Sequence, residues 1–270
     1  MTDTLSRSAL GLTAALLAVV GLLHITPVYT AASGIPAQWV YNGMPTLTAL
    51  TCAGLSALLW GASARSRQSR QIWGALAVGF LLWGIGDAIF MVEQLVLRRE
   101  VLYPAAADVF FAVGYAPLAY GMAARYFTLR TQPDQALQLV TGVLFVVLAG
   151  IVLVLGVIPV LQTGEETAFA LFISLLYPTG DLLLAFGASL VFLTLSGGRL
   201  SLPWALIPVG ALLFVAADTT FIYSNVTGGY IASDGLPVNA VTFFSDFTYY
   251  AAYAAMALGI FLQARLQRVI

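Results

Sequence analysis

Five aspartates fall inside strongly apolar stretches of the sequence, where an ionisable side chain is unusual. They are Asp87, Asp108, Asp181, Asp218 and Asp246. An ionisable group at the centre of a membrane helix costs about 2.5–3.5 kcal/mol on insertion scales. A chain therefore places several of them there only with a partner, a cavity or a chemical task. Carboxyl groups that share a cavity could bind a cationic ligand, or act together as general acid and base.

Helical spacing places aromatic side chains beside these acids. Steps of three or four residues put Trp83, Asp87 and Phe90 on one face of a predicted helix, and Tyr177 and Asp181 on one face of another. The sequence thus predicts an acidic and aromatic ligand site. Its predicted residues are Trp83, Asp87, Phe90, Asp108, Tyr115, Tyr177, Asp181, Asp218, Asp246, Tyr250 and Tyr253. Such a site suits a cationic or hydrogen-bond-donating ligand with an apolar body.

A purely structural role for the same residues is the alternative. The aspartates could accept hydrogen bonds from Tyr, Trp or Ser on neighbouring helices and so hold a helix bundle together. The tyrosines between 249 and 253 could also lie at a membrane interface, where aromatic residues are common.

Composition sets the class of protein in which these residues act. Of the 270 residues, 60% are hydrophobic and only 9% are charged, which predicts an all-α, polytopic membrane protein. All 11 basic residues are arginines and they form no basic arm, so we expect no nucleic-acid partner. The single cysteine, Cys52, and the single histidine, His24, argue against disulfides within one chain, a haem site and a multi-histidine metal site. We therefore predict no cofactor and no metal.

Eight apolar segments have about the length that a membrane-spanning helix needs. They cover residues 8–30, 45–63, 72–97, 105–127, 137–161, 168–195, 202–224 and 239–266. With a cytoplasmic N-terminus, nine arginines lie on the inner side and only Arg98 and Arg99 on the outer side. The positive-inside rule thus predicts that both termini are cytoplasmic. The aspartates then fall mainly in the outer halves of their helices, and residues 225–238 form an outer loop, expected to be a simple surface connection.

Matched spacings predict an internal repeat within a single membrane domain, residues 1–270. Phe90 follows Asp87 by three residues, as Phe221 follows Asp218. A tyrosine and a glycine also follow two further aspartates at equal distances: Tyr115 and Gly121 after Asp108, and Tyr253 and Gly259 after Asp246. Each half holds four predicted spans. Residues 1–127 and 137–266 should thus be parallel repeats related by an axis along the membrane normal.

The acid-bearing stretches resemble the N-terminal membrane region of bacterial GGDEF diguanylate cyclases. The similarity covers about residues 75–265. It lies in Trp83-Gly84-Ile85-Gly86-Asp87, Ala107-Asp108-Val109-Phe110-Phe111, Tyr177-Pro178-Thr179-Gly180-Asp181, Ala217-Asp218, and Asp246 with Tyr253. The resemblance implies a sensor in the bacterial plasma membrane that binds a small molecule or a lipid. The 270 residues include no cyclase sequence, so we expect a separate protein partner, in the membrane or the cytoplasm, to receive the signal.

A weaker resemblance is to the lysoplasmalogenase family. It lies in Gly86-Asp87, in Gly210-Ala211-Leu212-Leu213-Phe214 before Asp218, and in Tyr249-Tyr250-Ala251. It implies an intramembrane hydrolase of vinyl-ether lysolipids with Asp87 and Asp218 as the catalytic pair. One protonated acid would donate to the alkenyl ether while the other, ionised, activates water. A third alternative is an accessory subunit of a larger membrane complex.

Overall fold

A computed structural model describes residues 37–98, 104–129, 134–164, 167–233 and 236–270. This part of the chain is all-α apart from one short hairpin. The helices are α1 Ala37–Ala62, α2 Arg67–Met91, α3 Ala106–Phe127, α4 Gln135–Val152, α5 Ile158–Thr163, α6 Ala168–Leu195, α7 Ser201–Val226 and α8 Ala240–Leu266. The hairpin pairs β1 Ala232–Ser233 antiparallel with β2 Leu236–Pro237.

Seven helical segments of the described residues are long and apolar enough to cross a membrane. Two of them include a short π-helical turn: Val92–Val96 continues α2, and Leu153–Val157 joins α4 to α5. The described chain therefore has the make-up of a multi-pass membrane protein, and these segments correspond to seven of the eight predicted spans. The remaining predicted span, residues 8–30, lies outside the described residues.

Side-chain caps define several helix starts. Ser66 caps α2, Thr167 caps α6 and Asn239 caps α8, each by accepting a hydrogen bond from a backbone N–H of the first turn. In contrast, α1 begins well before the predicted start at 45, because Pro45 lies inside the helix instead of at its beginning. A membrane helix tolerates such a proline where neighbouring groups bond the freed backbone.

Two sets of three helices form the bundle. In one set α2 packs against α1 and α3, and in the other α7 packs against α6 and α8. The sets meet where α1 contacts α8 and where α3 contacts α6. The segment formed by α4 and α5 is covered least by other helices and exposes large apolar side chains along its length, as expected for a surface in contact with lipid.

Small residues let the helices of each set approach closely. A Cβ atom added at Gly79 of α2 would lie 3.2 Å from the Gly114 carbonyl oxygen of α3. A Cβ atom added at Gly210 of α7 would lie 2.7 Å from the Ala252 carbonyl oxygen of α8. Close backbone approach at small residues is a common way for membrane helices to pack.

The hairpin loop between α7 and α8 is tied to the start of α8. The Ile231 backbone N–H donates to the Thr242 hydroxyl at 2.8 Å, and the Asn239 amide donates to the Gly229 carbonyl at 2.8 Å. The loop is thus more than the simple surface connection expected for residues 225–238. These bonds fix it over the end of the bundle where α7 ends and α8 begins.

Candidate functional site

A cavity of about 510 Å³ lies at one end of the bundle. Six of the seven spanning segments line it, together with the hairpin loop; the segment formed by α4 and α5 does not. Phe90 and Gln94, near the end of the second spanning segment, lie on its wall with Ala105, just before α3 begins, and Asn225, near the end of α7. Its volume is in the range of small-molecule sites.

All five intramembrane aspartates line this cavity, so we name it the acidic cavity: Asp87, Asp108, Asp181, Asp218 and Asp246. Five further predicted residues line it as well: Trp83, Phe90, Tyr115, Tyr177 and Tyr250. Phe90 is 39% exposed although it lies on the cavity wall. The remaining predicted residue, Tyr253, is fully buried and does not line the cavity; its ring lies 5.3 Å from that of Tyr249.

Two tyrosines bind aspartates across the two contacts between the helix sets. Tyr177 of α6 donates a hydrogen bond to Asp108 Oδ1 of α3, and Tyr41 of α1 donates one to Asp246 Oδ2 of α8. Asp108 Oδ2 also accepts a bond from the Ala105 backbone N–H, and Asp246 Oδ1 accepts one from Tyr230 at 3.0 Å. Both oxygens of Asp108 and both of Asp246 are therefore satisfied within the protein.

In two other aspartates, only one carboxyl oxygen accepts a hydrogen bond. Tyr115 donates to Asp181 Oδ1 at 2.7 Å, and Tyr249 donates to Asp87 Oδ1 at 3.1 Å. The second oxygen of each is buried and, among the described residues, has no hydrogen-bond partner of normal geometry. For Asp87 this holds although the Tyr253 hydroxyl lies near its carboxyl group.

Asp218 differs from the other four acids because none of the described tyrosines donates a hydrogen bond to it. Its carboxyl group approaches that of Asp181 and interacts electrostatically with Asp87 and Asp108. Asp218 thus lies among the other acids, with acceptor capacity that the described protein groups leave unused.

Packed aromatic rings form the inner end of the acidic cavity. The ring of Trp83 from α2 lies 5.2 Å from that of Phe214 from α7, and the two are edge to face. Each also contacts a tyrosine of the adjacent helix: Trp83 lies 5.1 Å from Tyr115, and Phe214 lies 4.8 Å from Tyr253. The Trp83 indole N–H donates to the Phe111 carbonyl at 3.0 Å, which fixes its orientation.

Three tyrosines that hold the acids were not among the predicted site residues: Tyr41, Tyr230 and Tyr249. Tyr41 precedes the predicted start of its helix at 45, and Tyr230 lies in the loop after α7. Burial, and then the neighbouring Asp246, raise the pKa of Tyr230, so its hydroxyl keeps the proton that it donates. Tyr249 lies three residues after Asp246 and shares its helical face, a spacing that could have identified it.

The lining of the acidic cavity is acidic and aromatic, without a compensating basic group. No Arg, Lys or His is among the described residues that line it. Within the described ranges, the carboxylates also form no group of three or more that could hold a metal ion. The described part of the chain therefore offers these acids no positive charge at the cavity wall.

The comparisons with known proteins give no match. No protein-family model matches the chain, and neither the curated proteins nor the solved structures contain a match.

Proposed function

We propose that the protein is an integral membrane sensor that binds a small molecule or a lipid in the acidic cavity. One observation carries this proposal: five buried or half-buried carboxyl groups converge on a cavity of about 510 Å³ with many aromatic side chains. Structural acids need only local partners, as Asp108 and Asp246 have. The buried, unpartnered oxygens of Asp87 and Asp181 are better suited to contact with a ligand.

The arginine distribution orients the site in this proposal. Nine of the 11 arginines fall on the side that would be cytoplasmic, so the acidic cavity faces the outer side of a bacterial plasma membrane and both termini are cytoplasmic. A ligand enters from outside, and a separate protein partner receives the signal. The resemblance to the membrane region of GGDEF cyclases supports this role.

Duplication of a four-helix unit is consistent with the contacts between the helices. It gives the proposed architecture of eight helices in two parallel repeats. Pairing Asp87 with Asp218 and Asp108 with Asp246 also pairs Gly79 with Gly210, and Gly114 with Ala252. The close contact between Gly79 and Gly114 then corresponds to that between Gly210 and Ala252. The bond from Tyr177 to Asp108 likewise corresponds to the bond from Tyr41 to Asp246.

A cavity-filling variant tests the sensor proposal. Ala232 lines the acidic cavity and is itself exposed. The larger side chain of Ala232→Trp should therefore occupy part of the cavity without disturbing helix packing. The adjacent Ser233 is exposed and does not line the cavity, so Ser233→Trp is a matched control. Proteins purified from membranes in mild detergent are compared by native mass spectrometry and by extraction of bound small molecules.

We expect a non-protein molecule to co-purify with the wild type and with Ser233→Trp. The amount bound per protein should be at least fivefold lower in Ala232→Trp. Equal amounts in all three proteins, or no bound molecule in any of them, would contradict the proposal. Co-purification of a stoichiometric protein in place of a small molecule would favour the accessory-subunit alternative.

Hydrolysis of a vinyl-ether lysolipid is the second candidate. The electrostatic interaction between Asp87 and Asp218 within one cavity favours it, because the chemistry needs two acids near one bond and a water molecule. One acid would protonate the alkenyl carbon, water would add to the resulting cation, and the hemiacetal would break into an aldehyde and an alcohol. Aldehyde release by the folded protein, abolished in Asp87→Asn, would support this candidate; no release would exclude it.

A further inference from the structure

Carboxyl oxygens of the acidic cavity that the protein leaves without a hydrogen-bond donor indicate which class of ligand the cavity binds. Asp108 and Asp246 have both oxygens bonded by the protein. Asp87 Oδ2 and Asp181 Oδ2 have no hydrogen-bond partner of normal geometry among the described residues, although the Tyr253 hydroxyl lies near Asp87 and the Asp218 carboxyl approaches Asp181. Asp218 is half-buried and accepts no bond from the described tyrosines. Three of the acids that line the cavity therefore keep unused acceptor capacity.

These three acids are also electrostatic neighbours. Asp218 interacts electrostatically with Asp87 and with Asp181. They come from three helices, α2, α6 and α7, so a group bound among them would touch three elements of the bundle. No basic side chain of the described residues lines the cavity, so this part of the chain supplies no positively charged N–H donor to the acids.

The wall around these acids is apolar and aromatic. Trp83 and Phe214 lie at its inner end, and Phe90 and Phe221 lie nearer the ends of their helices. A ligand that satisfies the acids can therefore bury an apolar body against these rings, and a cation next to an aromatic face gains a further attraction.

We infer that the ligand is an organic cation with a primary ammonium group on an apolar body, and that Asp218 binds this ammonium with Asp87 and Asp181 nearby. The inference rests on the proposed ligand-binding function and names its ligand class. A primary ammonium has a positive charge and three N–H donors, which suits a cavity lined by several carboxyl groups. A quaternary ammonium carries the charge but no N–H, and an alcohol has a single donor and no charge, so both would leave buried acceptors unpaired.

Three probes of similar size separate these possibilities: 2-phenylethylamine, its N,N,N-trimethyl derivative and 2-phenylethanol. Binding is measured by calorimetry with the protein in nanodiscs of zwitterionic lipid at neutral pH. We expect the amine to bind at least tenfold more tightly than either of the other two. In Asp218→Asn the affinity for the amine should fall at least tenfold, while the affinity for the alcohol changes less than threefold, which also shows that the variant is folded.

Asp134→Asn is the matched control. Asp134 is exposed and caps α4 through a bond from the Ala136 backbone N–H, and asparagine is an equally good cap. Its affinity for the amine should equal that of the wild type.

The wild type should not bind the alcohol or the trimethyl derivative as tightly as it binds the amine. If it did, the ammonium assignment would be overturned, but the ligand-binding cavity would remain. Unchanged amine binding in Asp218→Asn would overturn the role of Asp218. Binding of no probe would overturn this inference alone. The proposed function would be overturned only by the co-purification experiment, if no molecule co-purified with the wild type or if equal amounts co-purified with all three proteins.

Discussion

The Tyr177 hydroxyl of α6 donates a hydrogen bond to the Asp108 carboxyl of α3, and so links the two helix sets at the edge of the acidic cavity. Tyr41 and Asp246 make the corresponding link between α1 and α8. Each bond gives a buried or half-buried acid a hydrogen-bond donor from a helix of the other set. These links therefore keep the bundle together at the end where its charged groups are concentrated.

Tyr177→Phe and Tyr41→Phe should each lower stability by about 1–3 kcal/mol, because each leaves one carboxyl oxygen of an acid without its donor. The effects should be similar in size and nearly additive, since the two links lie at different helix contacts. Thermal unfolding in detergent measures them. Tyr120→Phe is the control, because the Tyr120 side chain is 51% exposed and should tolerate the change. A strong loss at only one of the two positions would weaken the proposed correspondence between the sets.

Helical spacing could predict which residues face the cavity. It could not predict all the side chains that donate hydrogen bonds to the aspartates. Asp181 and Tyr177 share a face by their spacing, and both line the cavity. The bounds of α6 also agree with the predicted span 168–195, because Thr167 gives it a clear start. Tyr41 was missed because the predicted apolar span begins at 45, whereas the helix begins at Ala37 and continues through Pro45.

The loop shows a second limit of sequence-based prediction. Residues 225–238 are rich in Gly, Ser and Asn, a composition that predicts an exposed connection. Composition gives no sign that Tyr230 reaches Asp246, because this contact depends on how α7 and α8 are placed relative to each other. Pairing of acids from different helices, such as Asp181 with Asp218, is a tertiary contact of the same kind.

Gly114→Ala should destabilise the protein by about 1–3 kcal/mol, the usual cost of forcing an extra group into a packed site. A Cβ atom there would lie 2.4 Å from Cδ1 of Trp83, so the indole would have to leave its position beside the cavity. Thermal unfolding and Trp fluorescence report the change. Gly142→Ala, with no neighbour within 4 Å of the added atom, should be neutral or slightly stabilising. If both variants behaved alike, the close packing of α2 and α3 would be in doubt.

Thr227 and Ser196 should lie on opposite sides of the membrane. Both are exposed, Thr227 after α7 and Ser196 after α6. In a Cys52→Ala background, Thr227→Cys should react with a membrane-impermeant maleimide on intact bacterial cells, while Ser196→Cys should react only after the cells are opened. This follows from the arginine distribution. The reverse pattern would place the acidic cavity on the cytoplasmic side and rule out an external ligand.

Tyr230→Phe should loosen the hairpin loop over the acidic cavity. The Tyr230 hydroxyl holds Asp246 at 3.0 Å, and its ring packs against Phe221 at 4.9 Å, so the variant keeps the ring contact and loses only the hydroxyl. The bond from the Ile231 N–H to Thr242 should then open more often. Hydrogen exchange followed by mass spectrometry should show faster exchange in peptides that cover residues 229–239, with the ends of α2 and α6 unchanged. Tyr223→Phe, at a side chain that is 43% exposed, is the control and should exchange like the wild type. If loop exchange is unchanged in Tyr230→Phe, Tyr230 does not fix the loop, and the bonds from Ile231 to Thr242 and from Asn239 to Gly229 hold it in place.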